Sequence, residues 1–388
     1  MIKVLSVIGT RPEAIKMAPV IQELQRYPTD ITSKVCVTAQ HRQMTDQALA
    51  LFRIQPDYDL NIMKRAQSLT SITTQVLEEL EPILKEEQPD WVLTQGDTTT
   101  VLATALAASY QHIKIGHVEA GLRTYDTANP FPEEVNRRIA DVLADRLFAP
   151  TGWAVENLRR ECVPEEKIVL TGNTIVDALQ QVAEQPFRPD DAQLESLPVD
   201  QKRIILVTSH RREHLDSGID EICHALLAIA ERHSDVHLVF PVHPNPRVRE
   251  HVYSLLHGKP DISLLEPLDY TSCMWLLKKC YFVMTDSGGL QEEAPCLRKP
   301  LLVLRDATER PEGVRRGNAK LVGTNPLRIF REATKLLTDS DAYQAMAQGV
   351  NPYGDGRAAR RIVHSLIPYQ LEQEPELETI KEESHNAI

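Results

Sequence analysis

Short β-branched runs and longer amphipathic stretches alternate from the start of the chain. "KVLSVIGT" at residues 3–10 is a near-continuous apolar run ending in Gly9, and in the "RPEAIKMAPVIQELQ" that follows, Ile15, Ala18, Ile21 and Leu24 recur at helical spacing. The strand theme returns in "KVCVTAQ", "DWVLTQGDT", "IKIGHVEA", "RLFAPT" and "KIVLTGN", separated by helical segments such as 69–88 and 98–110. Such alternation predicts parallel strands with crossover helices, a doubly wound α/β sheet. Around 184–202 the periodicity fails and proline and acid accumulate in "EQPFRPDDAQLESLPVDQ", which reads as a linker. Beyond it "RIILVTSH", "VHLVFPVH", "ISLLEP", "YFVMTDSGG", "PLLVLRD" and "AKLVGT" begin a second doubly wound sheet. The expected organisation is a first domain at 1–183, a second at 203–354, a closing helix at 355–367, and an acidic disordered tail at 369–388.

Composition narrows the partners. A length of 388 residues suits two domains, and 42% hydrophobic with 25% charged residues is ordinary globular usage. No apolar run is long enough to cross a bilayer and no basic-then-apolar leader is visible, so a soluble, unexported, cytoplasmic protein is expected. A net charge of -12 repels a polyanion and argues against nucleic-acid binding, while leaving room for a local cationic pocket. The six cysteines form no C-x-x-C pair or His/Cys cluster, so reduced thiols are expected rather than a structural metal.

In open parallel sheets ligands bind beyond the carboxyl ends of the strands, and here those positions are rich in polar residues. After the first strand come Gly9, Thr10, Arg11, Pro12 and Glu13, with Lys16 one turn into the helix; later strands are followed by Gln95-Gly96-Asp97, by His117 with Glu119, by His210-Arg211-Arg212-Glu213, by His243, and by Asp286-Ser287-Gly288-Gly289. Two glycines at a strand-to-helix turn, as in "TDSGGLQEEAP", let backbone amides approach a diphosphate, and an acid one turn on, Glu292 or Glu293, can accept ribose hydroxyls. A plain βα connection fits the same letters. Arg310 in "ERPEG" is a candidate phosphate partner. Cations at the start of a helix, as in "GTRPEAIKM", oppose its dipole unless they serve an anion. The G-x-x-x-x-G-K-[ST] spacing of a P-loop is absent, and no G-x-G-x-x-G turn follows the first strand, the latter disfavouring a nicotinamide cofactor. Asp97 is equally an N-cap, and Glu133 and Glu134 equally an ordinary acidic helix start after "NPFP". Glu119, an acid in an apolar run, has no helix role; with Asp97 and Glu133 it would make three converging carboxylates suited to proton transfer.

Taken together, "GTRPEAIKMAPV", "QHRQM", "GDTTT", "GHVEAGLRT" with "PFPEEVNRR", "TSHRRE", "PVHPNP" and "TDSGGLQEEAP" through "RDATERPEG" resemble, in this order and over residues 9 to about 324, the non-hydrolysing UDP-N-acetylglucosamine 2-epimerase family. The resemblance implies two Rossmann-like domains facing across a cleft, similar to GT-B glycosyltransferases, with the closing helix at 355–367 crossing back to the first domain. It implies inversion at C2 of UDP-GlcNAc to give UDP-ManNAc, by anti elimination of UDP to 2-acetamidoglucal and re-addition, with no cofactor and no metal. It assigns Asp97, Glu119, Glu133 and His210 to catalysis, and Arg11, Lys16, Ser287, Gly288, Gly289, Glu293 and Arg310 to the nucleotide sugar. Leu268 and Cys273 stand where some relatives carry glutamine and phenylalanine. Gln40, Gln43, Arg211 and His243 match positions at which some bacterial members bind UDP-GlcNAc as an activator, although Ala66, beside Arg65, replaces an arginine of that set. A homodimer is the expected assembly. Rival readings are an epimerase of a modified UDP-sugar, a hydrolysing epimerase releasing free ManNAc, a GT-B glycosyltransferase, and a non-catalytic nucleotide-sugar sensor.

Overall fold

Two all-parallel sheets organise the chain, seen in a computed structural model that describes residues 1–38, 42–62, 67–184, 189, 191–209 and 218–367, with only the backbone described at 42–44 and 184. Two compact units result, Met1–Ala178 with the chain from Tyr353 onward, and Leu179–Pro352.

In the first unit the strands are β1 (Ile2–Ile8), β2 (Ile31–Val37), β3 (Tyr58–Asp59), β4 (Trp91–Gln95), β5 (Lys114–Val118), β6 (Arg146–Ala149) and β7 (Ile168–Leu170), in the order β3-β2-β1-β4-β5-β6-β7. Val4, Leu5, Val7 and Ile8 are fully buried, as a central parallel strand covered on both faces requires. β1 runs beside β2 from Ile2 opposite Ile31 to Ile8 opposite Val37, and beside β4 through Val4 opposite Trp91 and Ser6 opposite Leu93. The winding reverses between β1 and β4. At such a switch point the crossovers leave to opposite sides, which is where open parallel sheets bind their ligands.

The helices at the predicted 69–88 and 98–110 span Leu69–Glu87 and Thr99–Tyr110. The first begins where Ser68 accepts from the Ser71 amide, buries Ile72, Val76, Leu80 and Leu84 at four-residue spacing, and stops at Gln88 in a left-handed conformation. A last helix, Ala358–Leu366, packs back onto this unit beside the helix Arg11–Gln25, where the Tyr27 hydroxyl meets His364 Nε2 at 3.2 Å. Asp177 caps it from far away in sequence, accepting from the amides of Ala358 (3.2 Å) and Ala359 (2.9 Å), and burial pushes its carboxyl up to about 6.

The second unit contains β8 (Arg203–Thr208), β9 (Val236–Pro241), β10 (Ile262–Leu265), β11 (Phe282–Thr285), β12 (Leu301–Val303) and β13 (Ala319–Leu321), ordered β10-β9-β8-β11-β12-β13. Its switch point lies between β8 and β11. Phe240, Phe282, Leu226, Ile222 and Leu302 are among the fully buried members of its core. Within 184–202 lies a short helix, Ala192–Glu195, capped by Asp191, while the helix Thr174–Glu184 runs through the point where the two units part. The expected disordered tail at 369–388 lies outside the described residues. No helix among the described residues is long and apolar enough to cross a membrane.

Candidate functional site

Polar side chains gather at the switch point of the first sheet. β1 is followed by Gly9, where a Cβ would come within 2.5 Å of Thr100 Oγ1, so the close packing of the turn on the helix Thr99–Tyr110 requires glycine. One turn into the helix Arg11–Gln25, Glu13 curls back and accepts from the Gly9 amide (2.7 Å) and the Thr10 hydroxyl (2.9 Å). Burial pushes its carboxyl up to about 7; these hydrogen bonds and one from Thr98 oppose the shift, and the charge of Asp97 adds to it. Lys16, a further turn along, is buried and ion-paired with Glu119. Arg11, at the rim, has no ion pair among the described residues.

Glu119 follows the last residue of β5 and holds φ at +68°, a left-handed conformation that costs an ordinary side chain energy. Its amide donates to the Phe148 carbonyl at 3.1 Å, which fixes that turn. Asn173 places its side-chain amide 3.4 Å from Glu119 Oε2. Lys16, Glu119 and Asn173 are thus buried side by side, although the six strands β2 to β7 separate the first from the last in sequence.

Beyond β4, Gly96 takes φ +84° and turns the chain into Asp97. Asp97 does not cap the next helix: Thr98 does, accepting from the Val101 amide. Instead the Asp97 carboxylate receives a fork from Arg137, Nε at 3.1 Å and Nη2 at 2.6 Å, and its carbonyl accepts from Asn136 at 2.9 Å. Both partners sit on the helix Glu133–Leu143, which therefore orients Asp97. Glu133 opens that helix with a half-buried side chain, directly after cis Asn129–Pro130 and Phe131–Pro132. Glu134 corrects the plain helix-start reading. It is fully buried and holds the preceding loop, accepting from the amides of Thr124 and Tyr125 (both 3.0 Å) and from Arg137 at 3.1 Å.

Beneath these groups lies a buried charge network. His117 donates through Nδ1 to Asp141 at 2.6 Å and through Nε2 to the Gly96 carbonyl at 2.7 Å. Burial alone lowers an imidazole, but the Asp141 carboxylate and the two acceptors outweigh it, so His117 titrates above its usual range and both ring nitrogens carry protons. Burial likewise pushes Asp141 up, and His117 with Arg123 (Nη2 at 2.7 Å) more than reverses this, holding it below the usual carboxylate range. Arg123 also forks onto Glu161. The network fixes Gly96, and so the turn that carries Asp97.

In the second unit β11 leads through Asp286 to Ser287, Gly288 and Gly289 at the start of the helix Gly288–Cys296. Asp286 is buried and accepts from Ser209 at 3.0 Å, tying the ends of β11 and β8 together. Ser287 holds the N-cap position without capping, which leaves its hydroxyl available to a ligand at the helix start. The Arg310 guanidinium lies over Gly288, where a Cβ would meet Nη1 at 2.8 Å, and is held by Glu292 (2.6 Å) and Glu309 (2.6 Å). Glu293 lies beside the Tyr270 hydroxyl; burial and then this carboxylate raise Tyr270 well above its usual value.

The structure therefore brings Lys16 to Glu119 and groups Ser287, Gly288, Gly289, Glu293 and Arg310 around one turn. His210, Arg211 and Gln40 lie outside the described residues, as do the Gln43 side chain and the Arg65–Ala66 pair. His243 is half-buried after β9, its Nδ1 accepting from the Asn245 amide at 3.2 Å. Leu268 precedes, and Cys273 lies on, the helix Tyr270–Lys279. Sequence reasoning passed over Glu13, Asn173 and Asp141 as site-building residues. Glu13 was detectable, since it precedes Lys16 by three residues and so shares its helix face; nothing local marks the other two.

A family model for UDP-N-acetylglucosamine 2-epimerase matches residues 22–367. Over 369 residues the chain is 53% identical to the UDP-N-acetylglucosamine 2-epimerase of Escherichia coli K12, covering 94% of this chain and 98% of that one. The crystal structure of UDP-GlcNAc 2-epimerase from Neisseria meningitidis bound to UDP-GlcNAc is similar with a TM-score of 0.89 at 49% identity, covering 94% and 99% of the two chains. The Methanocaldococcus jannaschii UDP-GlcNAc 2-epimerase, in complex with UDP-GlcNAc and UDP, matches at TM-score 0.80 and 36% identity, again over 94% and 99%. With a family match over most of its length and relatives at about half identity along nearly all of it, this chain belongs to the UDP-N-acetylglucosamine 2-epimerase family.

Proposed function

We propose that the protein interconverts UDP-GlcNAc and UDP-ManNAc without net hydrolysis. The observation that carries this, in a member of that family, is the buried Lys16–Glu119 pair near an Asp97 held by Arg137, at the switch point of the first sheet. The C2 proton of the sugar is not α to a carbonyl, so direct deprotonation is prohibitively hard. Elimination solves this: the C1–O bond breaks, UDP leaves with the electron pair, and the C2 proton passes to a carboxylate as C1=C2 forms. Re-addition of UDP at C1 with protonation of C2 on the other face completes the inversion. Asp97, Glu119 and Glu133 supply the proton-handling groups, and Lys16 compensates the charge on Glu119 between steps. Ser287, Gly288, Gly289 and Arg310 retain the departing diphosphate, and Glu293 accepts the ribose hydroxyls. By resemblance His210 joins the catalytic groups, near the diphosphate, and Arg11 the contacts to the nucleotide sugar. Action in the cytoplasm as a homodimer belongs to the same reading.

In deuterated water, with neither NAD nor metal added, UDP-GlcNAc yields UDP-ManNAc carrying deuterium at C2. Release of free sugar and UDP alone moves the assignment to a hydrolysing epimerase, and sugar transfer to an acceptor sinks it. A narrower test concerns the glycine turn. Gly288→Ala forces the Arg310 guanidinium off its seat between Glu292 and Glu309, so calorimetry registers UDP affinity about tenfold weaker, equivalent to roughly 1.4 kcal/mol. Unchanged affinity removes Arg310 from the nucleotide contacts.

A further inference from the structure

We propose that Asn173 is a positioning residue for Glu119, holding its carboxylate from the segment onto which the returning chain is fastened. The inference rests on the role of Glu119 given above. Asn173 is 3% exposed and all its polar groups are engaged. Its backbone amide donates to the Tyr353 carbonyl at 2.8 Å, its Oδ1 accepts from the Ile175 amide at 3.1 Å, and its Nδ2 faces Glu119 Oε2 at 3.4 Å. The segment that carries it is pinned on both sides. Gly172 and Gly354, with φ +85° and +117°, pass so closely that a Cβ on Gly354 would meet Gly172 Cα at 3.2 Å. Arg361 donates to the Thr171 carbonyl at 3.0 Å, and Asp177 holds the amides of Ala358 and Ala359.

The chain leaves the first unit after Ala178 and returns at Tyr353, so both crossings end on this clamp. Asn173 is the side chain that extends from it toward the candidate proton-transfer site. The charged groups around Glu119 come from elsewhere: Lys16 on the helix after β1, Asp97 with Arg137 beyond β4, and His117 in β5 with its partners Asp141 and Arg123. The neutral amide of Asn173 adds direction without adding charge. An outer partner that orients a functional group in this way typically changes activity by about 10- to 100-fold when replaced.

Asn173→Asp tests this, because an aspartate keeps the acceptor that caps Ile175 while setting a second negative charge against Glu119. The expected result is a kcat lowered about 10- to 100-fold with KM nearly unchanged, and an acidic limb of the pH–kcat profile displaced upward by about one unit. Asn173→Ser, which still caps but carries neither amide nor charge, lowers kcat without displacing the limb. The titration of Glu119, followed through the 13C-carboxyl resonance that Glu119→Gln removes, moves upward in Asn173→Asp whether or not turnover is observed. Wild-type kcat, limb and titration in Asn173→Asp overturn the proposal. So does a fall in Tm with proportional loss of activity and no displaced titration, the mark of a merely structural residue. Absence of C2 deuteration by the wild-type protein overturns the epimerase reading instead, and the Glu119 titration still decides the role of Asn173.

Discussion

Glu119→Gln lowers kcat for UDP-GlcNAc by about 10³-fold while UDP still binds, within the range that loss of a proton-transferring group commands. The amide oxygen of glutamine still accepts from Lys16, so the buried ammonium keeps a partner and the fold survives. On the function proposed above, UDP is held by the turn at Ser287–Gly289 and by Arg310, which the substitution does not touch. Calorimetry with UDP, run beside a deuterium-incorporation assay, separates the two functions. Loss of UDP binding together with turnover would make Glu119 a ligand or structural residue, and a kcat within tenfold of wild type would exclude it from proton transfer.

The second large effect is on stability. Asp141→Asn takes the carboxylate away from two buried cations, the His117 imidazolium at 2.6 Å, which loses its charged partner, and the Arg123 guanidinium at 2.7 Å, which keeps Glu161. Breaking a buried ion pair from one side costs about 3–5 kcal/mol. That corresponds to a Tm lower by roughly 10 °C for a unit of this size. The penalty depends on pH with a definite sign. His117 is raised in the folded protein, so its share of the stabilisation is full below its ordinary value of 6.5 and is lost as pH rises through the raised one. Asp141 is depressed, so its contribution is fully present above its ordinary 3.8 and is lost as pH falls from there through the depressed value. Calorimetric scans of both proteins therefore differ most between about pH 4 and 6.5, and the gap narrows on the alkaline side to the part owed to Arg123. A Tm difference of under about 2 °C across that range would show that the network is not stabilising.

Much of the fold was legible because its cause is local. β1 and β4 are near-continuous apolar runs, since a parallel strand covered on both faces has no polar side to show, and the helices between the strands carry one apolar stripe. The polar residues that end those runs stand out for the same reason. Glu119 was conspicuous as an acid amid "GHVEAG", and Ser287-Gly288-Gly289 as a glycine turn before a helix. Roles were harder to read. Asp97 matched a cap on local pattern, but Thr98, one residue on, has the extended backbone and the hydroxyl that reach Val101. Glu134 matched a dipole partner, yet the loop closed by Tyr125 and Thr124 turns it inward.

By itself the sequence determined the strand and helix periods, the restart of the pattern after the 184–202 interval, and the family to which the motifs belong. Only the tertiary structure decided partners. Lys16 and Glu119 are 103 residues apart, Arg137 and Asp97 40, Asn173 and Glu119 54. Periodicity reports which face of an element is buried, but not which distant side chain is buried against it. That choice follows from the order of strands in the sheet. The order sets β4 beside β1 and β5 beside β4, and the helices and turns that follow the strands bring Lys16, Arg137 and Asn173 to carboxylates that nothing near them in sequence specifies.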